Sequence, residues 1–165
     1  MPLLGLLLTG LILSPGVAWA QTPWPASLST REPGLSQSPV SVVIWSVNIE
    51  PPGPGVAPDK ARWAGKWSGW ACRDQACDVK LIVEHVTPEG ARVITGFASA
   101  TVKPNTSRGN AQFVGEELQV KWRDGSATAY RMRPEGDIEL LWRSSDSCVD
   151  LSRCEWHGGV LSKEK

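Results

Sequence analysis

Residues 63–86 read WAGKWSGWACRDQACDVKLIVEHV, and this stretch decides the fold. Its first part is rich in tryptophan and glycine, its last part alternates apolar and polar side chains, and a short loop flanked by Cys72 and Cys77 separates the two. Alternation with a period of two is the pattern of a strand with one buried face. Strands joined by so short a loop run antiparallel, because a parallel return needs a crossover of a dozen or more residues. The stretch therefore predicts a β-meander and not a helical or α/β protein.

Toward the C-terminus the same pattern repeats. Thr87-Pro88-Glu89-Gly90 is a tight turn, followed by the strand ARVITGFASATV. Residues 103–110 read as a polar loop, and AQFV, the turn Gly115-Glu116 and ELQVKWR follow. Asp124-Gly125 predicts a type I′ hairpin turn. Beyond it come SATAYRMR, the turn Pro134-Glu135-Gly136-Asp137, IELLWR, a Ser/Asp/Cys loop and CEWHGGVLS. That makes eight strands with short connections and no helical pattern. Closure into an all-β, eight-stranded antiparallel up-and-down barrel removes both sheet edges and is the expected fold. A two-sheet β-sandwich is the alternative.

Toward the N-terminus, residues 21–58 are rich in Pro, Ser and Gly, a linker composition with no means of forming a core of its own. One island, VSVVIWSVNIE at 40–50, is β-branched and predicts a strand that adds to the barrel edge or packs across a barrel end, where it should be covered. Residues 59–165 form the barrel domain. Residues 1–20 carry no charged side chain, and Ala18-Trp19-Ala20 places small residues where a signal peptidase cuts, so they read as a signal peptide cleaved before Gln21. The apolar run is shorter than the roughly 20 residues that span a bilayer. The mature protein is therefore expected in the periplasm or outside the cell, without a transmembrane span.

Charge and cysteine usage narrow the function classes. The chain of 165 residues balances 17 basic against 17 acidic side chains, which excludes nucleic acid as a main partner. Its four cysteines form two close pairs, Cys72 with Cys77 and Cys148 with Cys154, which in an oxidising compartment predict two local disulfides. Pairing across the two loops is geometrically open as well. Each local bridge closes a short loop and contributes about 2 kcal/mol. The spacing of Cys148 and Cys154 does not suit a zinc site, and no metal or cofactor is expected. His85 and His157 lie on different strands and read as hydrogen-bonded or solvent-facing. Arg131, Arg133 and Arg143 alternate with Glu135, Asp137 and Glu139, a pattern expected on a mixed, solvated barrel exterior. No nucleophile–base pair or facing carboxylates are legible, so no catalytic residue and no enzyme activity is expected.

Gly65-Lys66-Trp67-Ser68-Gly69 is a G-x-W-x-G at the start of the meander, and GKWSGW is followed by C-x-V-x-L-x-V, F-V-G-x-x-L and AYRMRPEG with IELLW. This pattern resembles the calycins, the lipocalin-like barrels, and in particular small secreted bacterial domains with such a barrel and no assigned function. The resemblance covers Trp63 to the end. It implies that Gly65 and Trp67 form the closed barrel end, and it brings no ligand with it. The late turn reads PEGD where lipocalins carry a T-D-Y type signature, and no C-terminal helix follows the last strand.

In such a meander the odd-numbered connections share one end, which collects the cysteine loops. Trp70, Trp122, Trp142 and Trp156 are expected toward that mouth, and parity turns Trp122 and Trp142 inward with Leu118, Val120, Ile138 and Leu140. Trp63 and Trp67 belong to the core at the other end. The expected function is a non-catalytic barrel binding a small apolar or aromatic-stacking ligand at the tryptophan and cysteine mouth. The alternative is a protein-interaction module, such as an inhibitor of a secreted protease or lysozyme, that uses residues 21–58 as a trunk.

Overall fold

The computed structural model describes residues 22–145 and 155–165. The signal-peptide assignment and the Cys148–Cys154 pair lie outside the described residues. Strands β1 (Gly65–Ala71), β2 (Cys77–Val86), β3 (Gly90–Ser99), β4 (Asn105–Val114), β5 (Glu117–Lys121), β6 (Ala127–Met132), β7 (Ile138–Arg143) and β8 (His157–Lys163) follow one another around a closed barrel. Every neighbouring pair is antiparallel, and β8 returns to β1 with Trp67 opposite Lys163 and Ala71 opposite Gly159. The fold is thus the expected eight-stranded up-and-down barrel, consistent with a calycin-like architecture.

Alternation assigns the interior. Trp67, Val79, Leu81, Val83, Val93, Leu118, Val120, Tyr130, Ile138, Leu140 and Leu161 are buried in one cluster inside the barrel. One end is filled by aromatic packing. The Trp67 indole donates to the Trp63 carbonyl at 3.0 Å, and Trp63 sets its edge against Phe113 with centroids 6.2 Å apart. Helix α2 (Pro58–Ala61) leads into this plug, with the Lys60 ammonium 4.7 Å from the Phe113 ring centre. Gly65 and Trp67 stand at this end, where the motif placed them. Gly65 has φ +134°, a conformation that glycine adopts without steric cost.

Three expectations need correction. The polar stretch 103–110 is not mainly a loop: Asn105 pairs with Phe97 and the ladder runs to Gln112 opposite Gly90, so most of the stretch belongs to β4. Its side chains meet an open lumen on one face and solvent on the other, so no apolar alternation marks it. The Asp124–Gly125 turn is not type I′. Only Gly125 is left-handed (φ +84°), the Gly125 N–H donates to the Trp122 carbonyl and the Trp122 N–H to the Ser126 carbonyl, which is the wider loop with a glycine bulge. Arg133–Asp137 repeats that geometry around Gly136.

The third correction concerns residues 22–58. They contain helix α1 (Ala26–Ser29) but no strand at 40–50, and they wrap the barrel as an arm. Leu28 packs with Trp70, Leu141 and Val160 in a second buried cluster on the outside of β7, β8 and β1. Farther along, the Gln37 N–H donates to the Gln75 carbonyl, the Val42 N–H to the Asp78 carboxylate at 2.7 Å and the Glu50 N–H to the Glu84 carbonyl at 2.7 Å. Gly96 leaves the room that Val42 and Ile44 fill; a Cβ there would lie 2.3 Å from Val42 Cγ1. The 40–50 island is therefore extended and only half covered. Val42 is buried, whereas Val43 and Trp45 are exposed.

The arm also buries charge. Glu139 is 1% exposed and accepts from Arg131 Nε at 3.0 Å and Arg133 Nε at 3.1 Å, while the Arg133 guanidinium donates to the Leu28 and Arg31 carbonyls at 2.7 and 2.8 Å. Arg133 and Glu139 thus lie beneath the arm and not on a solvated exterior.

Candidate functional site

The end opposite the Trp63 plug is open. A cavity of about 760 Å³ descends from the rim into the lumen. Alternation on β3 turns Thr95 and Phe97 into it, β4 contributes Asn105 and Ser107, and β6 contributes Thr128 and Tyr130. Trp122 follows β5, Leu140 and Trp142 come from β7, His157 from β8, and Ala71 and Cys72 from the end of β1.

The floor is polar. The Tyr130 hydroxyl and Thr95 Oγ1 are 3.0 Å apart, joining β6 to β3 through the lumen. Burial pushes the Tyr130 phenol up to about 12, against the opposing influence of hydrogen bonds with Thr95 and Thr128. Trp122 donates its indole N–H to Thr128 Oγ1 at 2.9 Å, so this tryptophan is held by the same hydroxyl group. Its ring lies beside Gly109, where a Cβ would come within 3.0 Å of the indole.

Above the floor, Phe97 and Trp142 meet with ring centroids 6.1 Å apart and planes inclined by 26°. In a ring of eight strands β3 and β7 stand diametrically opposite, so this contact bars the lumen. Asn105, Ser107, Trp122 and Thr128 lie along β4 to β6 on one side of the bar. His157 lies on the other side and packs against Trp142 at 5.5 Å.

The rim loops fix this geometry. Cys72 and Cys77 are disulfide-bonded across a single 3₁₀ turn (Arg73–Gln75), and Cys72, Asp74 and Gln75 all have positive φ. The bridge ties the ends of β1 and β2, while the Gln75 carbonyl accepts from the Ser36 hydroxyl and the Gln37 N–H of the arm. Asp124 accepts from the Ser126 hydroxyl at 2.6 Å and N–H at 2.9 Å, and these bonds hold its carboxyl below the usual carboxylate range.

Of the four expected mouth tryptophans, the structure brings Trp122 and Trp142 together in the cavity. Trp70 and Trp156 do not line it. Trp70 is 1% exposed in the outer cluster, its indole donating to the Glu32 carbonyl at 3.3 Å with Arg31 over its face. Trp156 packs at the edge of that cluster, with the Arg143 guanidinium 5.6 Å from its ring centre. Parity explains both. Trp67 and Trp70 are three residues apart and point to opposite faces, and Trp156 precedes the inward His157. Phe97, Thr95, Tyr130 and His157 were missed as site residues, although alternation along β3 and β6 marks the first three as inward.

Among the described residues, no helix is long and apolar enough to cross a membrane, and no group of three His, Cys, Asp or Glu side chains could hold a metal ion. No family model matches the chain, and neither a curated protein nor a solved structure matches it.

Proposed function

We propose that the protein is a non-catalytic, calycin-like barrel of the periplasm or extracellular space that holds a small, ring-stacking ligand at its open mouth. The observation that carries this reading is the asymmetry of the lumen. One end is filled by Trp63, Trp67 and Phe113, while the other keeps a ring-lined cavity of about 760 Å³, within the size range of small-ligand sites. The Cys72–Cys77 disulfide supports an oxidising compartment. The uncharged fluorophore N-phenyl-1-naphthylamine tests the site. It should bind the full chain with one-site saturation, and Trp142→Ala should weaken it about tenfold, the loss of one aromatic stacking partner. No saturable binding, or binding that Trp142→Ala leaves unchanged, would overturn the reading.

A second reading has its own observation. The arm exposes Leu35, Val43, Trp45 and Ile49, a run of apolar side chains that a protein partner such as a secreted hydrolase could cover. Under that reading Val43→Ser with Trp45→Ser abolishes partner capture and leaves fluorophore binding intact.

A further inference from the structure

We infer that the ligand is a neutral sugar ring, seated between the Phe97–Trp142 bar and the polar wall of β4; this rests on the ligand-binding reading above. The argument begins with the hydroxyl count at the floor. Thr95, Tyr130 and Thr128 bring three O–H groups together, with the Tyr130 and Thr95 oxygens 3.0 Å apart and Thr128 accepting the Trp122 N–H. The Tyr130–Thr95 contact uses one of these protons in either direction, so hydroxyl donors are left at the floor for an occupant. The Trp122 N–H adds no acceptor, because it is a donor only and is already given to Thr128.

The wall above supplies the complement. Asn105 and Ser107 enter the lumen from β4, opposite Phe97 and Thr95 of β3. An apolar occupant would remove water from the Asn105 amide, the Ser107 hydroxyl and the surplus floor hydroxyl without replacing their hydrogen bonds, at about 1–3 kcal/mol for each group left unpaired. An ionic occupant fares no better. The charged residues of the lining stand at the rim and two of them are already engaged: Arg108 binds Glu84 at 3.1 Å and Asp124 is held by Ser126, while Arg123 is exposed. An ion in the lumen would lose hydration without meeting a fixed counter-charge. A pyranose satisfies both demands. Its C–H face lies on the aromatic bar, and its perimeter hydroxyls donate to and accept from Asn105, Ser107 and the floor.

The test follows indole N–H signals of the ¹⁵N-labelled, disulfide-intact full chain by NMR during titration with glucose, galactose and N-acetylglucosamine, in parallel with N-phenyl-1-naphthylamine. The expected result is saturable binding of at least one sugar with shifts centred on Trp122 and Trp142. Asn105→Ala combined with Ser107→Ala should weaken the sugar about tenfold or more while strengthening the fluorophore, which no longer leaves two polar groups unpaired. Both positions are exposed at the mouth, so the double variant should keep the wild-type melting temperature. Fluorophore binding without any sugar response overturns the sugar assignment and leaves the ligand-binding reading standing. A sugar response that the double variant preserves overturns the role of the β4 wall. Absence of both overturns the assignment together with the reading beneath it.

Discussion

Tyr130 stands where the filled part of the barrel meets the open part, and it is the only tyrosine in the chain. Tyrosinate absorbance therefore reports this one group. Burial raises its folded pKa from 10.0 to about 12, so the folded protein binds the phenolic proton after the unfolded chain has released it. Stability contributed by the neutral phenol is intact below pH 10 and is lost as the pH climbs toward 12. A native titration midpoint near the ordinary tyrosine value would contradict the buried placement. The glycines of the β1–β8 seam act at the same scale. A Cβ on Gly159 would lie 2.2 Å from the Trp70 carbonyl oxygen, and one on Gly69 would lie 2.1 Å from the Val160 carbonyl oxygen. Gly159→Ala should therefore cost about 3 kcal/mol in denaturant unfolding, the upper end of overpacking costs, because backbone rather than a movable side chain must yield. The second glycine of G-x-W-x-G thus has a physical reason in the β1–β8 seam that closes the barrel. Trp122 and Trp142 were legible as mouth residues because parity was applied to them. Trp70 and Trp156 were placed by strand end alone, which says nothing about the face.

The arm differs most from its sequence pattern. Composition marks 22–58 as linker because its few apolar residues have no partners within the segment. Leu28 finds its partners on the barrel exterior in Trp70, Leu141 and Val160, which look surplus until the arm covers them, and Val42 packs over Gly96 on β3. The Arg133–Glu139 pair reads as solvated for the same reason, since nothing in the alternation of β6 and β7 signals a cover. Replacing Glu139 by Ala leaves Arg133 buried without its carboxylate and should cost about 3–5 kcal/mol, measured by chemical denaturation. Removal of residues 22–33 should lower the melting temperature and shift tryptophan emission to the red as Trp70 becomes hydrated. An unchanged spectrum would mean that the arm does not cover it. Since the arm completes the barrel exterior, its deletion is not a clean test of partner binding, and the Val43 and Trp45 substitutions are preferable. Reducing the Cys72–Cys77 bridge, which closes a loop of a few residues, should cost about 2 kcal/mol. β4 escaped recognition in part because its inward Asn105 and Ser107 line a cavity and not a core, so the missed element and the candidate site share one cause.

At the scale of the whole molecule, closure organises the function. The even-numbered connections gather at the plugged end, and among the described residues the odd-numbered ones, with the Cys72–Cys77 bridge, gather at the mouth, so the meander itself separates a stabilising end from a receptive one. Strand number and order were legible because five of the seven connections carry glycine or proline, the other two carry cysteine pairs, and antiparallel neighbours leave closure as the way to remove edges. How far side chains fill the lumen was not legible, because that depends on Phe97 and Trp142 meeting across it rather than on either strand alone. The claim that the mouth holds a small molecule is tested most directly by native mass spectrometry of the protein isolated without denaturation from its own envelope fraction or medium. The account predicts a reproducible small-molecule adduct that the Trp142→Ala variant loses. A bare polypeptide, or a stoichiometric protein complex with no small adduct, would contradict it.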